Sequence, residues 1–305
     1  MAASLAPVVP AGYRARPSQP DDVAAITALV AACEVDLFGR VESDAGHAHA
    51  VFARDGLDAG RDTVLVFGPG GEVVAWAWVN RRSEVYVHPA HRGRGLGSGL
   101  LAWIQRRARQ AGTVTVAQQV PDSDTAAARL LGSAGFVVKA RAWMLGIDTA
   151  GVTVAEVDGI AFRGYRTGDL RAAWQVTEDA FGDWKARRTP LREWAAGTVE
   201  QSAFAPGASA MAFDGDELVG ALIALDVLGR GEGYVEYLAV ASAYRGRGIA
   251  RGLLRFCFAA FAEAGYGHCT LWTHTDTGAL SLYERVGMSV ERTASVYFKE
   301  LGDNA

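Results

Sequence analysis

The sequence predicts a mixed α/β (α+β) fold built as two tandem copies of one domain, and three observations carry that expectation. The stretch "AHRGRGLGSGLLAW" from Ala90 returns as "AYRGRGIARGLLRF" from Ala243, placing Arg92 and Arg245, Gly95 and Gly248, and Leu100 and Leu253 each 153 residues apart. Downstream, "DTAAARLLGSAGF" from Asp124 returns as "DTGALSLYERVGM" from Asp276, at a spacing of 152. In both copies, strand-like apolar runs alternate with helical periods in one shared order, as mixed α/β layers require. A repeat this long is a duplicated domain, since solenoid units run to about 20–50 residues. The 305-residue length agrees, at roughly 100–200 residues per domain.

Each copy opens with a polar segment leading into a helix, "RARPSQPDDVAAITALV" and "FRGYRTGDLRAAWQVTEDAF". An apolar strand follows ("TVLVFG", "ASAMAFD"), then a Gly-containing turn and a second strand ("EVVAWAWV", "ELVGALIAL"). Next come "EVYV" and "YVEYLAV", the Gly–Arg turn, and a helix. That helix lines up Leu96, Leu100, Ile104 and Ala108 in the first copy, and Ile249, Leu253, Cys257 and Phe261 in the second. The spacing near four residues makes one apolar face to lie on a sheet. A further strand ("TVTVAQQV", "HCTLWTH"), a short helix and a closing strand ("FVVKARAWMLGI", "MSVERTASVYFKEL") complete the order. The expected organisation is a loose tail over 1–12, a first domain over 13–147, a linker over 148–159 and a second domain over 160–305. The linker rests on "DTAGVTVAEVDG", which has few large apolar residues and no helical period.

Composition narrows the function. A formal charge of −4 argues against nucleic acid as a partner, because such a face needs a basic excess. Cys33, Cys257 and Cys269 cannot all pair and form no CxxC, which reads as reduced thiols in a cytoplasmic chain. No signal-peptide pattern or membrane-length apolar run occurs, so no membrane partner is expected. The histidines show no HExxH, and His47 with His49 in "GHAHA" reads as a loop, so no metal is expected. A monomer or homodimer fits equally.

The Gly–Arg turn points to the chemistry. A strand running through a Gly-rich turn into a helix leaves several backbone N–H groups without intrahelical partners, and the helix dipole adds positive potential there. Phosphate binds at such a place, and glycines let the backbone come close to it. Arg245, Arg247 and Arg251 add charge with no acid inside the loop. A solvated turn with arginines is the bland alternative. A P-loop lysine is missing, and no ribose-binding acid follows a GxGxxG, so other phosphate loops fit poorly.

"RGRGLG" and "RGRGIA" resemble the Q/R-x-x-G-x-G/A signature of the GCN5-related N-acetyltransferases, and "DTGALSLYERVGM" resembles that family's N-x-x-A-x-x-L-Y-E-x-x-G-F helix. The resemblance covers nearly the whole chain twice, in an arrangement similar to mycothiol synthase and related actinobacterial double-domain acetyltransferases. It implies two tandem GNAT domains and acetyl-CoA as cofactor. It further implies that the pantetheine arm lies between two splayed strands. Leu238, Ala239 and Val240 would then offer backbone hydrogen bonds, with an N–H near the thioester oxygen. Arg245, Gly246, Arg247, Gly248, Ile249, Ala250 and Arg251 would hold the pyrophosphate. The implied equivalents in the first copy are Tyr86, Val87 and His88, with Arg92, Gly93, Arg94, Gly95, Leu96 and Gly97. Asp124 and Asp276 stand where the family has Asn; aspartate can cap the helix but cannot donate as an amide.

The copies part where chemistry would sit. The second has Tyr283 where the first has Leu131. The resemblance makes that tyrosine the general acid for the departing thiolate, which a phenol can serve and a leucine cannot. Without the resemblance, Tyr283 also reads as a core aromatic. Alternation puts Glu236 on one strand face with Leu238 and Val240, making its carboxylate the candidate base; a solvent-facing strand residue is the alternative. The first copy has Ser83 there. His274 is a second candidate base, or a cap. The second copy is therefore expected to be catalytic, and the first degenerate. Acceptor specificity is implied for "WQVTEDAFGDWKARRTPLREW", where Glu178, Asp179, Asp183, Trp184, Lys185, Arg187 and Arg188 suit a small polar amine or form a solvated helix face. Glu34 and Asp36 hold the matching place in the first copy. No nucleophilic triad is visible, which suits direct attack in a ternary complex. A protein or peptide N-acetyltransferase, a mycothiol synthase-like enzyme and a non-catalytic CoA sensor remain as alternatives.

Overall fold

The computed structural model describes residues 7, 9–43, 45–80, 82–182, 188–226 and 231–302. Contacts divide the chain into two compact units, Met1–Arg141 with Thr293–Ala305, and Ala142–Arg292.

In the first unit, β1 (Arg14–Arg16) leads through a short turn into α1 (Val23–Phe38). Arg16 forks onto Asp22 with two N–O distances of 2.7 Å, fixing the approach to the helix. There follow α2 (Ala45–Phe52), α3 (Ala59–Asp62), β2 (Thr63–Phe67), β3 (Val73–Val79) and β4 (Ser83–Val87). The strands make an antiparallel sheet ordered β1-β2-β3-β4. Then come α4 (Leu96–Gln110), β5 (Thr115–Pro121), α5 (Thr125–Ser133) and β6 (Val137–Asp148), whose last seven residues belong to the second unit. Strand alternation gives the sheet two apolar faces. Val64, Val74 and Ala77 pack under α4, while Leu65, Trp76 and Trp78 pack under α1 and α2. The expected stripe Leu96, Leu100, Ile104 and Ala108 is buried.

The second unit repeats the plan: β7 (Ala161–Gly164), α6 (Leu170–Ala180), α7 (Leu191–Gly197), β8 (Ala210–Asp214), β9 (Glu217–Asp226), β10 (Glu232–Val240), α8 (Ile249–Glu263), β11 (His268–His274) and α9 (Leu280–Val286). Arg163 forks onto Asp169, again at 2.7 Å twice. Its strands run in the order β7-β8-β9-β10-β11-β6. The stripe Ile249, Leu253, Cys257 and Phe261 is sealed, at 1% exposure or less. The last strand, β12 (Ser289–Glu300), starts in the second unit and ends in the first.

The units do not end where the sequence places its domain boundary. Ala142–Asp148 of β6 ladder along all seven residues of β11, and Ala294–Glu300 of β12 ladder along β5. Each copy thus closes with the other copy's last strand, and the division falls at Arg141 and Arg292 instead of at the 148–159 segment. That segment is also not loose: Arg255 donates to the Thr153 carbonyl at 2.8 Å, and Val152 and Val157 pack on the second unit's core. In the tail, Val9 joins the first unit's core, so order begins before Tyr13. The three cysteines are free and buried. No helix among the described residues is long and apolar enough to cross a membrane.

Candidate active site

A fork in the second unit's sheet organises the site. β10 and β11 pair in parallel only through Glu232, Gly233 and Tyr234, opposite His268, Cys269 and Thr270. Beyond Tyr234 the strands part while each keeps its other neighbour, β9 or β6. A bulge marks the parting: Val235 pairs with Ala224 and Tyr237 with Ile223, so Glu236 is an extra residue with no partner opposite. A bulge bends and twists its strand, which turns β10 away from β11.

The ladder register decides which backbone groups face the opening. The Ala241 N–H bonds to the Val219 carbonyl, and Val240 stands opposite Gly220. By antiparallel alternation, Ala239 exchanges its bonds with Ala221, whereas Leu238 and Val240 direct theirs toward the fork. Leu238 and Val240 fit the expected contact with an extended amide-bearing arm; Ala239 does not, its polar groups being taken by β9. The same reasoning shifts the first unit's set. The His88 N–H goes to Val74, and Tyr86 is tied to Trp76, so Val85 and Val87 face outward. The expectation for Tyr86 and His88 was off by one residue, which reverses the direction of every backbone group.

The Gly–Arg turn follows the fork. Gly246 (φ +80°) and Gly248 (φ +85°) hold left-handed backbone that side chains rarely adopt. Amides from Gly246 to Arg251 find no backbone acceptor among the described residues. Arg245 donates its Nε to the Val240 carbonyl at 3.3 Å, bracing the turn, and Arg247 lies over the Tyr244 ring with its guanidinium 3.9 Å from Asp214. Arg251 has no carboxylate partner among the described residues. Orphan amides and an uncommitted guanidinium fit a phosphate anion. The first unit keeps the device, with Gly93 at φ +74° and Gly95 at +86°, but Arg92 is bonded to Asp36 and Arg94 to the Tyr13 hydroxyl. Leu96 is buried, and Gly97 lies close under Leu130.

Tyr283 sits in α9 with its ring in the core that also holds Val240 and Leu238. Burial pushes its phenol up to about 12. The hydroxyl has no hydrogen-bond partner among the described residues. Tyr234, at the crotch of the fork, feels both Tyr283 and Glu236, and the Trp272 backbone N–H faces its hydroxyl. Sequence reasoning missed Tyr234, because only the end of the ladder gives that position meaning.

Glu236 does not share a face with Leu238 and Val240, as alternation implied; the bulge breaks the period, and those two pack on the α8 core. Glu236 instead reaches solvent beside Tyr234 and Tyr237. Desolvation by the surrounding protein raises its pKa. The carboxylate remains near the fork, reached by a different route.

The outlying candidates separate. Glu178 is buried, and its carboxylate accepts the Thr189 amide at 2.7 Å, which makes it a clamp on the following segment. Glu34 does the same in the first unit, taking the Glu42 and Ser43 amides. Asp179 is exposed and paired with Arg188 at 2.9 Å, while Arg188 also stacks on Trp174. Asp183, Trp184, Lys185 and Arg187 lie outside the described residues. His274 ends β11, half exposed, 3.6 Å from Asp276. Asp276 does not cap α9; the Thr277 hydroxyl accepts the Ala279 amide instead, and Asp124 alone of the two aspartates caps its helix, accepting from Ala127. No group of metal-ligating residues forms among the described residues. His47 lies on α2 and not in a loop, and it forms with Glu84, Tyr86 and Trp78 a polar cluster the sequence reading passed over.

The chain is similar to known proteins along both repeats. The description "Acetyltransferase (GNAT) family" matches residues 27–136 and 171–288, once in each repeat. A mycothiol acetyltransferase of Corynebacterium efficiens is 26% identical over 91% of this chain and 90% of its own length. One from Amycolatopsis mediterranei is 29% identical over 74% of this chain and 81% of its own. Among solved structures, a GCN5-related N-acetyltransferase from Sphaerobacter thermophilus superposes with a TM-score of 0.79 at 28% identity, covering 98% of both chains. A tandem GNAT protein from the clavulanic acid biosynthesis pathway shares the fold, with a TM-score of 0.73 at 15% identity over 96% of this chain and 100% of that one.

Proposed function

We propose how this chain, which belongs to the acetyltransferase (GNAT) family and is an acetyl-CoA-dependent N-acetyltransferase, divides its labour: the second unit acetylates the primary amine of a small polar metabolite by direct attack. The single observation that supports this most is the coincidence of the fork, the orphan amides and the Tyr283 hydroxyl within one unit. The relatives named mycothiol acetyltransferase support a small-metabolite acceptor.

Acetyl-CoA, when bound, supplies an acetyl group activated as a thioester. The amides of Gly246 to Arg251, with Arg251, hold its diphosphate. Leu238 and Val240 pair with the extended arm, and a fork amide stands ready for the thioester oxygen. Glu236, raised by desolvation, takes a proton from the incoming ammonium, directly or through a water. Tyr283, kept protonated far above neutrality, holds a proton for the departing thiolate. Asp276, Asp179 and His274 flank this machinery without a place in it, and Glu178 shapes the acceptor side by holding Thr189.

The test is thiol release from acetyl-CoA over a panel of small amines, including the deacetylated precursor of mycothiol, against a panel of peptide N-termini. Turnover on metabolite amines that falls about 10²–10³-fold in Tyr283→Phe is expected. Turnover confined to peptides would overturn the acceptor class, and unaltered turnover in the variant would overturn the acid.

A further inference from the structure

The first unit's sheet carries a second constellation that neither the family match nor the second unit explains. On β4, with no bulge, Glu84 and Tyr86 share the face toward α1 and α2. One carboxylate oxygen, Glu84 Oε2, accepts from Trp78 Nε1 at 3.1 Å and from the Tyr86 hydroxyl at 3.1 Å, and His47 Nε2 lies 3.2 Å from it and 3.3 Å from the Tyr86 oxygen. Trp76 stacks on Tyr86, and His47 stands edge-on to both rings. The imidazole is therefore held in one orientation from two sides. Its Nδ1 has no hydrogen-bond partner among the described residues, and 27% of the side chain is open.

A carboxylate fixing one imidazole nitrogen leaves the other as a lone pair of set direction, the arrangement that makes histidine a general base. Burial works to lower the His47 pKa, but Glu84 and Glu34 outweigh it and raise the value. The next outward-facing backbone groups along β4 belong to Val85 and Val87, on an edge that is not hydrogen-bonded to β5 in any ladder. Ser83, at the end of that edge, donates its hydroxyl to the Ala117 carbonyl at 3.1 Å. The Gly93–Gly95 turn follows directly.

We propose that the first unit is a second acetyl-transfer site, in which His47, oriented by Glu84, is the base for an organic amine. This rests on the reading that the Gly–Arg turn holds acetyl-CoA. In the step, the amine nitrogen forms a bond to the acetyl carbon as the carbon–sulfur bond breaks. The nitrogen's proton passes to His47 Nδ1, and CoA leaves with the sulfur electron pair. The thiolate, of pKa about 8.5 as for an ordinary thiol, needs no phenol to depart, which agrees with Leu131 standing where the other unit has Tyr283. This site is slower than the second for that reason. The groups facing His47 are Glu84 and Tyr86 on β4, Glu34 on α1 and Arg54 after α2.

The test uses the full chain with the second unit silenced by Tyr283→Phe and Glu236→Gln. Residual acetylation of amines should persist, rise with pH through a value above an unperturbed histidine, and fall at least tenfold when His47→Gln is added. A merely structural role is separated by nitrogen-15 NMR of the imidazole. The neutral ring should carry its proton on Nε2 with a raised pKa that drops in Glu84→Gln, while the thermal midpoint stays near that of the parent. Binding of CoA is followed separately by calorimetry, at a stoichiometry of two per chain. No residual turnover with two CoA bound, or residual turnover indifferent to His47, overturns the second site and leaves the second unit's chemistry standing. One CoA per chain, lost in Gly248→Ala, overturns it at the level of the cofactor.

Discussion

Tyr234 and Thr270 are the last residues that β10 and β11 share as a pair; two residues later Glu236 bulges out of the ladder, and the strands do not meet again. That relationship makes the opening at which we place the chemistry. It also brings Tyr234 near both Glu236 and Tyr283.

Replacing Tyr283 by Phe removes one oxygen from a ring that stays buried. The expected loss is about 10²–10³-fold in kcat, in the range of general acid catalysis, with little change in acetyl-CoA affinity. Steady-state thiol release and calorimetry on the same preparation check it.

The pH dependence follows from two raised values. Glu236 acts deprotonated, so kcat/KM climbs with pH through a value above the ordinary 4.3 or so of a glutamate. Tyr283 acts protonated and titrates only near about 12, so no alkaline loss comes from it below that. Glu236→Gln should erase the acid limb and lower the plateau by about 10²-fold.

Gly248 begins α8 at φ +85°. An alanine there costs about 1–2 kcal/mol in left-handed backbone, and the expected outcome is weaker acetyl-CoA binding with an intact melting transition. Arg251→Ala should weaken binding about tenfold, a charged hydrogen bond's worth. The effect should shrink at high salt. Calorimetry at two ionic strengths reads both.

Gly233 passes under the Phe261 ring so closely that an added Cβ would stand 2.4 Å from Cε2. Gly233→Ala should destabilise by about 1–3 kcal/mol through overpacking, seen as a lower thermal midpoint.

Asp22 is held below the usual carboxylate range by its hydrogen bonds from Arg16; Asp169, which burial alone would raise, is pulled below it by Arg163. A depressed folded value means stability that is present above the unfolded pKa of about 3.9 and lost as pH falls through the lower one. Acid unfolding followed by fluorescence should therefore shift to a shallower dependence in Asp22→Asn and Asp169→Asn.

The repeat at 153 residues, the stripes Leu96–Ala108 and Ile249–Phe261, the left-handed glycines and Tyr283 against Leu131 were all legible in the chain, because each is a local pattern with a local cause: helical period, backbone freedom, one side chain's chemistry. Sequence alone thus determined the family, the duplication and the Gly–Arg turn. Only the tertiary structure decided where each copy ends, since Ala142–Asp148 finds its ladder on β11, far along the chain. It also decided which backbone groups are free: one bulged residue at Glu236 broke the alternation that a strand of uniform pleat would have kept. The His47–Glu84 pair belongs with these, because two residues 37 apart in sequence become neighbours only when a helix folds over a strand. Periodicity is written in consecutive residues; pairing, register and partners come from segments that the chain brings together across distance.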